Sequence, residues 1–177
     1  MVRKIERSHR EPDLNGNDKQ WIGTWSTAAQ PFLPGSLQTF RNQSLRLIVH
    51  TSAGGTKVRI KISNTYGNHP LVIGAAHIAR RTAAAEIDPT SDRSLLFDGQ
   101  ASTTVPVRAM VVSDAVELDV PALSDLSISL FFPETTQATT SHALARQTSY
   151  VSSETGNSTA SAKFPVARTI HSVVKGH

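Results

Sequence analysis

Hydrophobic and polar residues alternate with a period of two in several short segments, which is the pattern of a half-buried β-strand. The clearest case is residues 57–63, where Val58, Ile60 and Ile62 fall on one face. Turn-forming residues separate these segments, and only residues 80–87 have room for a helical turn or two. The segments with strand character are 45–51, 57–63, 71–79, 103–107, 110–112, 116–120, 126–132 and 147–152. Short strands without alternating helices predict an all-β sandwich or barrel, and we expect an antiparallel, jelly-roll-like β-sandwich with little helix.

Two neighbouring segments, 45–51 and 57–63, flank a turn-rich linker and are predicted to pair as a β-hairpin. Their apolar faces would point inward, which leaves one basic face made of Arg46, His50, Lys57, Arg59 and Lys61. We interpret this face as solvated, with long side-chain stems covering the sheet. The alternative is a docking surface for an acidic partner or ligand.

The chain has 177 residues, the length of a single domain, and its composition divides it into three regions. Residues 1–20 are predicted to be a polar N-terminal tail, 21–152 the β-sandwich domain, and 153–177 a linker-like C-terminal segment rich in small residues. The first residues lack the apolar core of a signal peptide, so none is expected in this chain and its localisation is left open. No apolar run reaches the roughly 18 residues that span a bilayer.

Motifs that carry chemistry are missing from the sequence. The absence of cysteine excludes disulfides, thiolate metal sites and a cysteine nucleophile. There is no G-x-S-x-G elbow, no H-E-x-x-H helix motif and no phosphate-binding glycine loop. His77 is interpreted as a core or interface histidine rather than a ligand. We therefore predict no catalytic residue, no metal and no cofactor for this chain.

Charge is distributed unevenly along a chain whose net charge is +4. Residues 21–85 hold seven basic and no acidic side chains, whereas residues 86–135 hold nine acidic and two basic ones. We expect the two blocks to pair or stack within one domain, so that their fields largely cancel. Nucleic acid is not an expected partner, because basic and aromatic residues are not interleaved.

Trp21 and Trp25 are four residues apart, which in a regular strand places both indoles on one face. We interpret them as a core or edge anchor of the first strand, and the alternative is a sugar-stacking surface. The candidate binding residues from the sequence are Trp21, Trp25, Arg46, His50 and Arg59.

Eight blocks of sequence occur in a familiar order: residues 21–28, 43–55, 58–67, 70–77, 91–93, 112–114, 120–126 and 147–152. As a set they resemble the N-terminal region of bacterial GDSL/SGNH-family hydrolases, which are esterases and lipases. In those proteins this region is a β-sandwich that precedes a flavodoxin-like catalytic domain. The Gly-Asp-Ser nucleophile block and the Asp-x-x-His block of that domain are absent from this chain.

The resemblance implies a non-catalytic accessory domain of an SGNH/GDSL-type esterase or lipase. Such a domain would pack on a catalytic domain, in cis or in trans, and help to shape its substrate cleft. An acylated carbohydrate is a further candidate partner, and proteins of this group are often secreted. The chain alone is expected not to be an enzyme. The alternative function is a free-standing carbohydrate-binding β-sandwich module.

Overall fold

The computed structural model describes residues 2–9, 20–32, 38–141 and 147–170. It confirms the predicted all-β class, because every strand pairing in it is antiparallel and its sheets do not close into a barrel. The strands are β1 (Val2–His9), β2 (Gln20–Ser26), β3 (Gln30–Pro31), β4 (Gln38–Phe40), β5 (Gln43–His50), β6 (Gly55–Ser63), β7 (Leu71–Ile73), β8 (Ala75–Arg80), β9 (Arg93–Ser94), β10 (Thr103–Val105), β11 (Met110–Val112), β12 (Val116–Val120), β13 (Asp125–Phe132), β14 (Thr136–Ala138), β15 (Thr140–Ser141), β16 (Ser149–Ser152) and β17 (Val166–Ile170).

Two main sheets form the sandwich. Sheet I has the order β11-β6-β1-β2, with β12 also paired to β6. Sheet II has the order β17-β16-β5-β13-β8-β9. Three two-stranded ribbons, β7 with β10, β4 with β14 and β3 with β15, complete the fold.

One hydrophobic core joins the inner faces of the two sheets. Ile5, Ile60 and Ile62 of sheet I share a buried cluster with Ile78 and Ile128 of sheet II. In β6 the inward residues are apolar and the outward residues polar, and three apolar residues of β5 also point inward, as a sheet with one buried face requires. The predicted inner faces of β5 and β6 are therefore correct.

The predicted β-hairpin of residues 45–51 and 57–63 is wrong. Strand β5 pairs with β13 and β16 in sheet II, whereas β6 pairs with β1, β11 and β12 in sheet I. The linker between them crosses from one sheet to the other instead of turning back. The continuous basic face is consequently not formed, since Arg46 and His50 lie on sheet II while Lys57, Arg59 and Lys61 lie on sheet I.

Two crossing loops lie side by side and determine this topology. The β5–β6 loop meets the β12–β13 loop, which makes the same crossing in the opposite direction. The backbone N–H of Thr51 donates to Ser124 O at 2.8 Å, and the Thr51 hydroxyl donates to the same oxygen at 2.9 Å. Contact at Gly54 is closer still, because a Cβ there would lie 2.6 Å from Val120 O and 2.7 Å from Ala122 N.

We expect Gly54→Ala to lower the free energy of unfolding by about 2 kcal/mol, since the added methyl group meets backbone that cannot rotate away. Gly23→Ala is the matched control, because its Cβ would meet only the flexible end of Lys4. Urea denaturation of both variants checks this, with the control expected within about 1 kcal/mol of the parent protein. Equal losses in the two variants would contradict the close approach of the loops.

The chain termini contain more structure than the sequence predicted. Val2–His9 is a strand between β2 and β6, so the prediction of a loose tail is wrong for these residues; residues 10–19 lie outside the described ones. Val2 and Ile5 are both buried although they are three residues apart, because a register shift interrupts β1 between Val2 and Lys4. That irregularity removes the period of two from the sequence pattern.

Residues 153–170 are likewise not a linker. Strand β17 pairs with β16, and the preceding residues cover the outer face of sheet II, where Ser158, Thr159 and Phe164 are buried. Their small polar side chains and backbone groups make hydrogen bonds to the sheet, which composition alone does not distinguish from a flexible segment. Residues 171–177 of the predicted linker lie outside the described residues.

Two local predictions also change. The segment 71–79 is divided into β7 and β8 at Gly74, where a Cβ would lie 2.8 Å from the Phe131 ring. Residues 80–87 form a loop closed by an Arg81–Ile87 bridge rather than a helical turn. No helix in the described part of the chain is long and apolar enough to cross a membrane.

Candidate functional site

The five candidate binding residues do not gather at one place. Trp21 and Arg59 meet on the outer face of sheet I, with the Arg59 guanidinium 4.2 Å from the centre of the Trp21 ring. Trp25 packs against the core between the sheets. His50 is exposed at the end of β5, where its Nδ1 lies 2.8 Å from Asp125 Oδ1. Arg46 is fully buried on the other side of the molecule, on the outer face of sheet II.

A β-bulge separates the two tryptophans. Ile5 of β1 lies opposite Trp25 and Glu6 lies opposite Gly23, which leaves Thr24 as an extra residue in β2. The Thr24 hydroxyl donates to Ala53 O at 2.7 Å and accepts from Ala53 N at 3.0 Å. An extra residue reverses the alternation of the strand. The prediction that both indoles share one face is therefore wrong.

The outer face of sheet I combines cations with exposed apolar side chains. We define it by the residues Lys4, Glu6, Trp21, Lys57, Arg59, Lys61, Met110, Val112 and Glu117, which point away from the core on neighbouring strands. Met110 and Val112 are 48% and 41% exposed on the edge strand β11. Asp119 of β12 also points away from the core, so four cations stand against three carboxylates and the excess of positive charge is small.

Glu6 is the buried centre of that face. Its Oε1 lies 2.8 Å from Lys4 Nζ and 3.4 Å from Lys61 Nζ, and its Oε2 lies 2.6 Å from an Arg59 terminal nitrogen. Burial acts to raise the pKa of Glu6, but hydrogen bonds from Lys4 and Arg59 and the charges of Arg59 and Lys61 outweigh it and lower that pKa to about 2. The carboxylate therefore holds three cationic side chains in place at neutral pH.

Elsewhere the basic and acidic blocks of the sequence pair with each other, as expected. Arg80 pairs with Asp88 and Arg81 with Asp125, both at 2.7 Å. Lys57 pairs with Glu117 at the margin of the outer face of sheet I. At Glu6 one carboxylate pairs with three cations, which leaves a local excess of positive charge.

Arg46 is a structural anchor rather than a binding residue. Its guanidinium donates to Ser129 Oγ at 2.8 Å and to the carbonyls of Ala85, Thr159 and Ser161 at 2.6, 2.9 and 3.0 Å. Burial lowers the pKa of Arg46 to about 10, so the side chain stays charged at neutral pH. The predicted role of Arg46 in an exposed basic face is wrong, because the chain after β16 covers it.

A cleft opens between the two sheets at one end of the sandwich. It encloses about 720 Å³, part of which is open to solvent. Its walls come from both sheets and from the β4–β14 and β3–β15 ribbons, and they include Leu45, Leu47, Phe40 and Phe132. No charged side chain lines it among the described residues. The sequence pattern does not indicate this cleft, because its walls are inward positions that a strand pattern assigns to the core.

The fold also forms a histidine–carboxylate pair that no sequence motif indicates. His77 Nδ1 lies 2.8 Å from Asp92 Oδ2, although the two residues are 15 apart in sequence. Ser129 and Ser94 are the cross-strand neighbours of His77, but in the described chain no serine hydroxyl hydrogen bonds to its ring. No three histidine or acidic side chains of the described residues gather to hold a metal ion.

Comparison with protein-family models and with curated proteins finds no match for this chain. Two features of the described residues can bind a partner or ligand: the outer face of sheet I and the cleft between the sheets. The first is charged and partly apolar, and the second is neutral and mostly apolar.

Proposed function

We propose that this chain is a non-catalytic accessory domain of an SGNH/GDSL-type esterase or lipase. It would pack on a catalytic domain absent from this chain and help to shape the substrate cleft of that domain. The ordered sequence blocks across residues 21–152 support the family, and the character of the outer face of sheet I supports the docking role. An acylated carbohydrate is then a candidate substrate of the assembled enzyme.

The contrast between the two outer faces carries the proposal. The chain itself covers sheet II with residues 153–165, burying Arg46 and Phe164. The described residues leave Met110 and Val112 exposed on the edge strand β11 of sheet I, and Trp21 and Arg59 meet farther across the same face. Tryptophan, methionine and arginine are enriched at protein interfaces, and a local excess of half-buried cations favours a partner with an acidic surface. We therefore assign the outer face of sheet I to contact an acidic, partly apolar surface of the catalytic domain.

The carbohydrate-binding alternative depends on two tryptophans on one face, and that arrangement is not formed. A flat stacking surface needs Trp21 and Trp25 side by side, and the bulge at Thr24 places them on opposite faces. One face of the Trp21 ring is already covered by the Arg59 guanidinium. We therefore favour protein docking over sugar stacking.

The first test is hydrolysis of p-nitrophenyl acetate and butyrate by the purified chain, with and without a serine-reactive phosphonate. We expect no turnover above buffer, because His50 and His77 each contact a carboxylate and no hydroxyl of the described residues hydrogen bonds to either ring. Phosphonate-sensitive turnover would mean that the chain is itself a serine hydrolase, and the accessory role would be wrong.

The docking face is tested by binding to a separately produced catalytic domain from a bacterial SGNH hydrolase that carries these sequence blocks. We expect Val112→Asp to weaken the complex at least about ten-fold, measured by isothermal titration calorimetry, because it puts a carboxylate into an apolar contact. Val166→Asp is the matched control, since Val166 is 42% exposed on the edge strand of the other sheet. Equal affinities of the two variants would exclude the outer face of sheet I as the interface.

A further inference from the structure

We propose that the cleft between the sheets is a binding site for a neutral small molecule with an apolar body. The proposal concerns a different part of the molecule from the docking face and does not depend on the family. It rests on the burial pattern of β5 and on the chemistry of the cleft walls.

The burial pattern of β5 is the reverse of what a filled sandwich shows. Leu45 and Leu47 point inward but stay partly exposed, whereas Ser44 and Arg46 point outward and are fully buried. In a close-packed core the inward leucines would be the buried residues. Space in front of these leucines is therefore unfilled by the described residues, and an apolar ligand there would remove their surface from water.

The far walls of the cleft are also apolar. Leu130 and Phe132 of β13 and Ile170 of β17 line it, and Phe132 stacks on Phe40 with ring centres 5.0 Å apart. An alkyl chain or a flat ring can pack against such a wall.

The polar groups of the cleft are all neutral. They are hydroxyls and amides from the ribbons and strand ends, including Gln137, Thr139, Ser141 and Ser149. Such groups can exchange hydrogen bonds with an alcohol, ester or ether oxygen. A buried carboxylate or ammonium would find no counterion among the described lining residues, and burying an unpaired charge is costly. The ligand class is therefore a neutral molecule with an oxygen at one end of an apolar body.

A cation at the margin of the cleft, Arg168, is already engaged. Arg168 lies 5.9 Å from the centre of the Phe40 ring and does not line the cleft. Its guanidinium donates to Gln38 Oε1 and to Thr39 O. A carboxylate would have to displace these contacts to pair with it.

The test is a titration of the purified chain with the neutral fluorophore N-phenyl-1-naphthylamine, followed by displacement at pH 8. We expect 1-decanol to displace the fluorophore at a concentration at least ten-fold lower than decanoate or decylammonium. Equal or stronger displacement by either charged molecule would overturn the neutral class. If the fluorophore does not bind, the proposed site is wrong. That result is expected if another part of the chain fills the cleft.

Variants locate the binding. We expect Leu47→Trp to weaken fluorophore binding at least ten-fold and Ala138→Leu several-fold, because both residues line the cleft. Leu123→Trp, at an exposed position in the β12–β13 loop that lines neither the cleft nor the docking face, is expected to bind as the parent chain does. Should Leu47→Trp fail to fold, Ala138→Leu on the short ribbon β14 still decides the question. Unchanged binding in Ala138→Leu would exclude the cleft, whatever the outcome of the docking experiment.

Discussion

Arg46→Met is expected to lower the free energy of unfolding by about 4 kcal/mol. Arg46 has no exposed surface, and its guanidinium donates to three backbone carbonyls and to Ser129 Oγ. Methionine fills much of the volume but donates nothing, so buried carbonyls of Ala85, Thr159 and Ser161 lose a charged donor. Each lost bond of this kind costs roughly 1–3 kcal/mol, and the lost contact with the Phe164 ring adds to the effect. Urea denaturation measures the change.

Two further variants separate the donor geometry from the charge. Arg46→Lys keeps the charge, but an ammonium cannot span carbonyls on two segments, so we expect an intermediate loss. Arg41→Ala removes an exposed arginine at the start of β5 and is expected to change stability by less than about 0.5 kcal/mol. Hydrogen exchange gives an independent reading, because the amide of Ser153 donates to Pro165 O within the covering segment. A loss below about 1 kcal/mol in Arg46→Met would mean that other contacts hold this segment on sheet II.

The inward faces of the regular strands β5 and β6 could be predicted from the sequence. The strands with which β5 and β6 pair could not. The alternation in β6 correctly assigns Val58, Ile60 and Ile62 to the core. Local pattern contains no information on whether Thr51–Gly54 turns back or crosses to the other sheet. That outcome depends on Ser124 and Val120, which are some 70 residues away in sequence.

The candidate site was harder to predict because it depends on irregularities. A single extra residue, Thr24, moves Trp21 and Trp25 to opposite faces, and spacing rules assume that no such residue is present. Arg46 resembled a solvated cation in the alternating pattern, since nothing in β5 reveals that residues 153–165 will cover it. Arg59 lies on the outer face of sheet I, but its main partner Glu6 belongs to a segment whose composition predicts a loose tail.

Glu6→Gln is expected to destabilise the chain by about 3 kcal/mol at pH 7 and by almost nothing near pH 2. Hydrogen bonds from Lys4 and Arg59 overcome the opposing effect of burial and hold the pKa of Glu6 at about 2, below its ordinary value of 4.5. A lowered pKa in the folded state means that ionised Glu6 stabilises the fold above about pH 4.5. This contribution is lost as the pH falls toward 2, and the shift corresponds to about 3 kcal/mol.

The measurement is the free energy of unfolding of the parent chain and of Glu6→Gln at several pH values between 7 and 3. The difference between them should be constant down to about pH 4.5 and then shrink, because the parent chain gains the proton that glutamine mimics. Glu117→Gln is the control: its exposed carboxylate pairs with Lys57, and such pairs contribute roughly 0–1 kcal/mol. If the difference in free energy of unfolding stays unchanged down to pH 3, the three cations around Glu6 do not lower its pKa. The basic character of the outer face of sheet I would then arise without this buried carboxylate at its centre.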